Sequence, residues 1–354
     1  MKPLTMRERI LAVIQGKELD RVPFVQYDHM AAPNKEIWSE IGRENLGILR
    51  WVQIHRIEHP HCRMHTEPIE RAGLKGERTT IETPRGTMTK EVLFEPTFGT
   101  GSTKKHFVKD PDDYEVLCAH LEDSVVVEDL EAFRKARQEL GDDGLPLVRV
   151  ERTPFQQLWV QWVNIGDLSL HLVDCPDQVQ RCVEAMIQQQ RKIFEIVARA
   201  PIAFANFPDN ITAPIIGEAN FRKYCVPLYN ELAQMLSERD IPVFVHMDGD
   251  LKPLWQAIGE SEVSGLDSLS PQPDNDTTVA EAASMWPEMR LFANFPSSVH
   301  LASPRTIYEQ AWELLEQAGH TGRLEIQISE NVPPGMWRKS FPQIVSAIRD
   351  FGQP

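Results

Sequence analysis

Paired cysteines are missing from this chain. Cys62, Cys118, Cys175, Cys182 and Cys225 are scattered, odd in number and never spaced as CxxC. That pattern excludes a disulfide framework and a cysteine-based zinc site, and it points to a reducing compartment. Long apolar runs are missing too: no stretch of about 18 apolar residues reads as a membrane span. The opening MKPLTMRERILAVIQGKELDRVPF lacks a signal-peptide pattern and reads as a short amphipathic helix carrying Ile10, Leu11, Val13 and Ile14. Basic excess is absent, because 37 Lys and Arg stand against 52 Asp and Glu, a net charge of −15. No surface is available to neutralise phosphates, so nucleic acid and anionic membrane are poor partners. No GxGxxG follows a strand, no GxxxxGK[ST] occurs, and the GxSxG of serine hydrolases is absent. What remains, at 42% apolar and 25% charged residues, is an ordinary soluble chain, expected in the cytoplasm.

What the sequence does have is rhythm. Apolar runs of strand length fall at 22–27, 146–150, 202–207, 242–246, 265–270, 290–295 and 324–329. From 146 onward helix patterns alternate with them. One runs from Pro176 to about Arg199, and another spans 218–239 with Pro227 expected to kink or divide it. Further helices fit near 251–259, 278–286, 304–318 and 336–350. Strand and helix in alternation predict an α/β fold with a parallel sheet, and the size favours a (β/α)8 TIM barrel. An eighth strand is expected near 168–173 or in 79–94. Residues 30–140 show no such rhythm. They read as an N-terminal helical and β-hairpin elaboration on the first strand, with a hairpin turn at Pro84-Arg85-Gly86 and acidic helices around 111–121 and 128–139. The whole chain, 1–354, is thus expected to be one barrel domain.

Barrel active sites gather at the C-terminal ends of the strands. Those ends carry Tyr27, Asp28 and His29, then Arg149, then Asn206, Asp209 and Asn210. His246, Asp248 and Asp250 follow, then Ser270, Asn294 and Ser297, and last Glu330. FANFP occurs at 204–208 and again at 292–296, which places Asn206 and Asn294 at comparable strand ends. The subset His246, Asp248 and Glu330 is the most suggestive. Residues two apart in an extended segment point the same way, so His246 and Asp248 can converge, and Glu330 ends the last strand. One imidazole and two carboxylates suit a divalent ion with an open coordination position. A turn role for Asp248 and a hydrogen-bonded strand-end histidine compete with that reading. A second cluster holds His55, His59, His61, Cys62 and His65. His55 and His59 have helical i,i+4 spacing, but Pro60 breaks a helix there, so a structural or surface role leads. Trp159, Trp162, Trp286, Trp312 and Trp337 fall at helical positions and read as packing residues.

The segments MRERILAVIQGKELDRVPF, IETPRGTMTKE with FVKDPDDYEVL, DNITAPIIGEANFRKYCVPLYNEL leading into VFVHMDGDLKPL, and ISENVPPGMW resemble, in that order, members of the uroporphyrinogen decarboxylase-like superfamily. The resemblance covers nearly the whole chain and implies a (β/α)8 barrel. The decarboxylase itself grips a polycarboxylate porphyrinogen with an arginine-rich segment after its first strand. Here that stretch is VQYDHMAAPN, without arginine, which argues against that activity. The methyltransferase branch holds zinc with a His-x-Cys pair and a later cysteine, and the matching positions are His246, Asp248 and Glu330. Carboxylates in place of thiolates are harder ligands, suited to an oxygen leaving group. The resemblance therefore implies a methyltransferase of a corrinoid-dependent demethylase system. It would move a methyl group from a small O-methylated substrate to the cobalt of a corrinoid-binding partner protein. A divalent metal, expected to be zinc, would activate the leaving oxygen. Asp28 and Asp209 would be its polar catalysts, His29, Asn206, Asn210 and Asn294 would bind substrate, and the chain could pair as a homodimer. Two alternatives stand beside it: a metal-independent decarboxylase or lyase using Asp28 or Asp209, and a non-catalytic small-ligand-binding barrel.

Overall fold

The computed structural model describes residues 3–97 and 99–353. Eight parallel strands close into a barrel. They are β1 (Phe24–Tyr27), β2 (Gly47–Val52), β3 (Gly144–Arg149), β4 (Ala205–Phe207), β5 (Val243–Met247), β6 (Gly265–Leu269), β7 (Arg290–Asn294) and β8 (Leu324–Ile328). Each pairs with its neighbour in sequence, and β8 closes on β1 through Phe24↔Ile326. Strands buried on both faces read as near-continuous apolar runs, which is why most were visible in the sequence.

Period-two alternation fixes which side chains fill the barrel. Val25, Leu49, Leu145, Leu147, Phe204, Phe244 and Phe292 belong to one buried cluster. Ile10, Val13 and Ile14 of the helix Met6–Gln15 join it and cover the N-terminal end. That helix starts with a capping box, in which Thr5 and Glu8 satisfy each other's backbone N–H. Phe244 packs 5.1 Å from Phe204 and 4.9 Å from Phe292, centroid to centroid. Gly265 makes room for this layer, since a Cβ there would come within 2.2 Å of the Phe244 ring.

The eighth strand lies at neither place the pattern offered. Residues 168–173 fall within the helix Ile165–Asp174, and 79–94 belong to antiparallel hairpins. The strand is β2, inside the 30–140 segment. Its sequence GILRWV hides the signal because Arg50 interrupts the apolar run. The arginine is tolerated because it faces out of the barrel, where Asp28 and Glu139 pair with it.

Contacts divide the chain into two compact units. The first holds the chain up to Ile54, Asp129–Val150, and everything from Val197 on, and it contains the barrel. The second comprises His55–Glu128 and Glu151–Ile196. Its four-stranded antiparallel sheet is built from Arg63–Arg71, Leu74–Thr83, Gly86–Phe94 and Gly101–Lys105. The hairpin turn falls where Pro84-Arg85 predicted it, with Thr83 opposite Gly86. His55 opens a strand, His55–Glu58, and not a helix, so it shares no helical face with His59. His59 stacks on His120 at 3.9 Å, and His61 pairs with Asp123 at 2.7 Å. His55 and His59 are thus committed to local packing, while His61 and His65 lie on the surface. Among the described residues no helix is long and apolar enough to cross a membrane.

Candidate metal centre

Phe244 points into the barrel, so His246, two residues on, does as well. Its Nε2 lies 3.5 Å from Asp248 Oδ2 and 3.7 Å from Glu330 Oε1. One donor atom from each of the three residues falls within 4.8 Å of the others. The opposite ring nitrogen, Nδ1, sits 2.9 Å from the carbonyl oxygen of Asp267 and 2.9 Å from the amide nitrogen of Ser268. These two contacts serve different proton states. An Nδ1–H donates to the carbonyl and leaves Nε2 free to bind a cation, whereas a bare Nδ1 accepts from Ser268.

Each ligand candidate has a backing group. Asn210 donates to Asp248 Oδ2 at 2.9 Å, and Asn275 donates to the Asp248 carbonyl at 2.8 Å. The side-chain oxygen of Asn294 accepts from Ser329 N at 3.0 Å, Ser329 Oγ at 3.2 Å and Glu330 N at 3.3 Å. Asn294 therefore pins the loop that carries Glu330. Beneath His246 lies Asp267, fully buried. Its carboxylate takes hydrogen bonds from the Tyr27 hydroxyl at 2.9 Å, Gln327 at 3.0 Å and Asn206 at 3.0 Å.

The charges explain themselves. Burial pulls the His246 imidazole down, but the hydrogen bond to Asp248 and the charges of Asp248, Glu330 and Asp267 win, and it is held up at about 9. Burial also lifts Glu330, helped by Asp248 and Asp274 and opposed by His246. Asp248 falls below the usual range: burial opposes this, but the hydrogen bond and charge of His246 prevail. Two carboxylates share one positive neighbour, a balance that a bound cation would meet better than a proton.

The family model for uroporphyrinogen decarboxylase (URO-D) matches residues 5–351. The chain belongs to the uroporphyrinogen decarboxylase family. A solved methyltransferase from Methanosarcina mazei shares its fold, with a TM-score of 0.57 at 12% identity, covering 98% of this chain and 99% of that one. The structure of D-psicose 3-epimerase in the presence of D-fructose is more distant: TM-score 0.29, 10% identity, 66% of this chain and 84% of that one. A comparison with curated proteins returned no match.

Within this member of the decarboxylase family, the structure sorts the other residues that the sequence proposed. Asn210 and Asn294 stand against the ligand set, and Asn206 reaches it through Asp267. Asp28, His29 and Asp209 are not brought to it. Tyr27 points inward, so Asp28 points to the opposite face, where Arg50 and Asn34 hold its carboxylate. His29 is exposed, 3.4 Å from Asp28. Asp209 is buried and accepts a hydrogen bond from the Tyr229 hydroxyl, on the helix Val226–Ser237. Sequence reasoning missed Asp267, Gln327 and Trp51. All three sit at inward positions of their strands, so alternation from a known inward neighbour would have found them. Trp51 meets the Tyr27 ring at 4.7 Å, and the guanidinium of Arg149 lies 4.5 Å from the Trp51 ring.

Proposed function

We propose that this barrel is a methyltransferase of a corrinoid-linked demethylase system. It takes a methyl group from a small O-methylated substrate and passes it to the cobalt of a corrinoid carried by a partner protein. The observation that carries the reading is the ligand set: one imidazole and two carboxylates at the barrel mouth, with no thiolate. A divalent ion fits these residues, because their donors converge, Nδ1 of His246 has a carbonyl partner, and both acids have fixed neighbours. When bound, such an ion, with zinc the expected one, supplies Lewis acidity to an oxygen leaving group. The shared fold of the Methanosarcina mazei methyltransferase supports the same branch.

The protein's own residues set the geometry. Asp267 and Ser268 hold the His246 ring with Nε2 toward the mouth. Asn210 fixes Asp248 and Asn294 fixes the Glu330 loop, so a substrate oxygen meets a preset pocket. In the transfer the methyl C–O bond would break with its electron pair left on oxygen, the partner's cobalt(I) would supply the pair for the new Co–C bond and so become cobalt(III), and the released alkoxide would take a proton from water.

One observation favours a second reading, a metal-free decarboxylase. His246 held up at about 9 is protonated at neutral pH and could deliver a proton to a substrate carbon. Two measurements separate the readings. Elemental analysis should find one divalent ion per chain, lost in His246→Ala and Glu330→Ala. Metal-loaded protein with a methyl ether and cob(I)alamin should build the absorbance of methylcobalamin. A metal-free protein that never methylates cobalt sinks the methyl-transfer reading.

A further inference from the structure

The metal ligands occupy one side of the mouth, and the opposite rim has a chemistry of its own. Trp51 ends the inward face of β2. It stays 45% exposed, although Leu49 on the same face is fully buried. An indole turned inward yet left open to solvent is a surface waiting for a flat apolar group. Arg149 ends the inward face of β3, in register with Asn206 of β4. Its guanidinium lies over the Trp51 ring at 4.5 Å, and Trp51 in turn meets Tyr27, whose hydroxyl is 3.5 Å from His246 Nδ1. Tyr27, Trp51 and Arg149 thus make a continuous wall from the ligand set to the rim.

Charge decides what can lie along that wall. Asp248 and Glu330 offset the charge of a bound divalent ion at one end, so the guanidinium of Arg149 at the other is what draws an anionic group on a substrate. Guanidinium also matches a carboxylate with two parallel N–H donors, which an ammonium cannot do. We propose that Trp51 and Arg149 determine specificity. The substrate is a flat molecule with its reacting oxygen over His246, Asp248 and Glu330, its body against the Trp51 indole, and a carboxylate at its far end held by Arg149. This rests on the methyl-transfer reading only for the identity of the reacting oxygen, and binding can be measured apart from turnover.

The test is calorimetric titration of the full chain with three probes: 4-methoxybenzoate, 4-methoxybenzamide and 4-methylbenzoate. The last has no ether oxygen, so it reports the anion site alone. Both acids should bind, and the neutral amide should bind at least about tenfold more weakly, as expected for loss of a charged hydrogen-bond pair. Arg149→Gln should erase the preference for acid over amide, Arg149→Lys should restore part of it, and Trp51→Leu should weaken all three. Each variant's circular dichroism guards against misfolding. Equal binding of acid and amide by the native chain, no binding of either acid at millimolar concentration, or an acid preference kept in folded Arg149→Gln overturns the proposal. Acid binding without any methyl transfer to cobalt would instead leave it standing and remove the proposed reaction.

Discussion

His246 Nδ1 lies 2.9 Å from the backbone carbonyl oxygen of Asp267, so strand β6 holds the ring that β5 presents. The other nitrogen must then face Asp248 and Glu330. With the imidazole held up at about 9, Nε2 carries a proton at neutral pH in the metal-free protein. Metal binding has to displace it. Titration with zinc near pH 7, in buffers of differing ionisation enthalpy, should therefore report release of about one proton per ion. Release should fade as the pH passes about 9. Zinc uptake with no proton release would show that His246 is not a ligand.

The same shift makes a statement about stability. The folded value of about 9 lies above the ordinary 6.5, so the folded state binds the proton more tightly. Its contribution is fully present below about 6.5 and is lost as pH rises through 9. Chelator-treated protein should lose up to roughly 3 kcal/mol across that window, read by urea unfolding at a series of pH values. His246→Gln should flatten the curve there. A native profile as flat as the variant's would mean that the acids do not hold the proton.

Sequence reasoning reached His246, Asp248 and Glu330 because strand ends are marked by where apolar runs stop. It passed over inward residues that lie before the apolar run stops. Asp267 sits in the middle of GLDSL, where a carboxylate reads as a flaw in a strand and not as a buried partner of Tyr27, Asn206 and Gln327. Asp28 and Asp209 were attractive for the same reason as His246: polar residues just past apolar runs. What separates them is parity and partners, and both depend on neighbours distant in sequence. Arg50 on β2 captures Asp28, and Tyr229 on a later helix captures Asp209. Arg50 also concealed its own strand, since a charge on the outer face breaks a run that is otherwise apolar.

Asn294 should matter to metal binding without touching the metal. Its amide oxygen accepts three donors from Ser329 and Glu330. Replacing it with Ala frees the loop and leaves buried donors unmet. Loss of such a supporting group costs about 10- to 100-fold in metal affinity. Competition with a chromophoric chelator should show zinc held that much more weakly in Asn294→Ala, with one site per chain retained. Unchanged affinity would mean that Glu330 is not a ligand or that its loop is fixed by other contacts.

Asp209 and Tyr229 should behave in the opposite way. Both are buried, and the hydroxyl of Tyr229 on the helix Val226–Ser237 donates to the Asp209 carboxylate just past β4. Tyr229→Phe removes a donor to a buried acid, at a cost of roughly 1–3 kcal/mol. The loss should appear in urea unfolding, while zinc stoichiometry and affinity stay at native values, since neither residue is among the converging donors. Asp209→Asn is the sharper variant, because an amide oxygen can still accept from Tyr229. If Asp209 only anchors the helix, Asn at that position keeps most of the stability and all of the turnover. Native stability with turnover abolished in Asp209→Asn would return Asp209 to the chemistry, as a proton donor reached by a movement of the β4 loop.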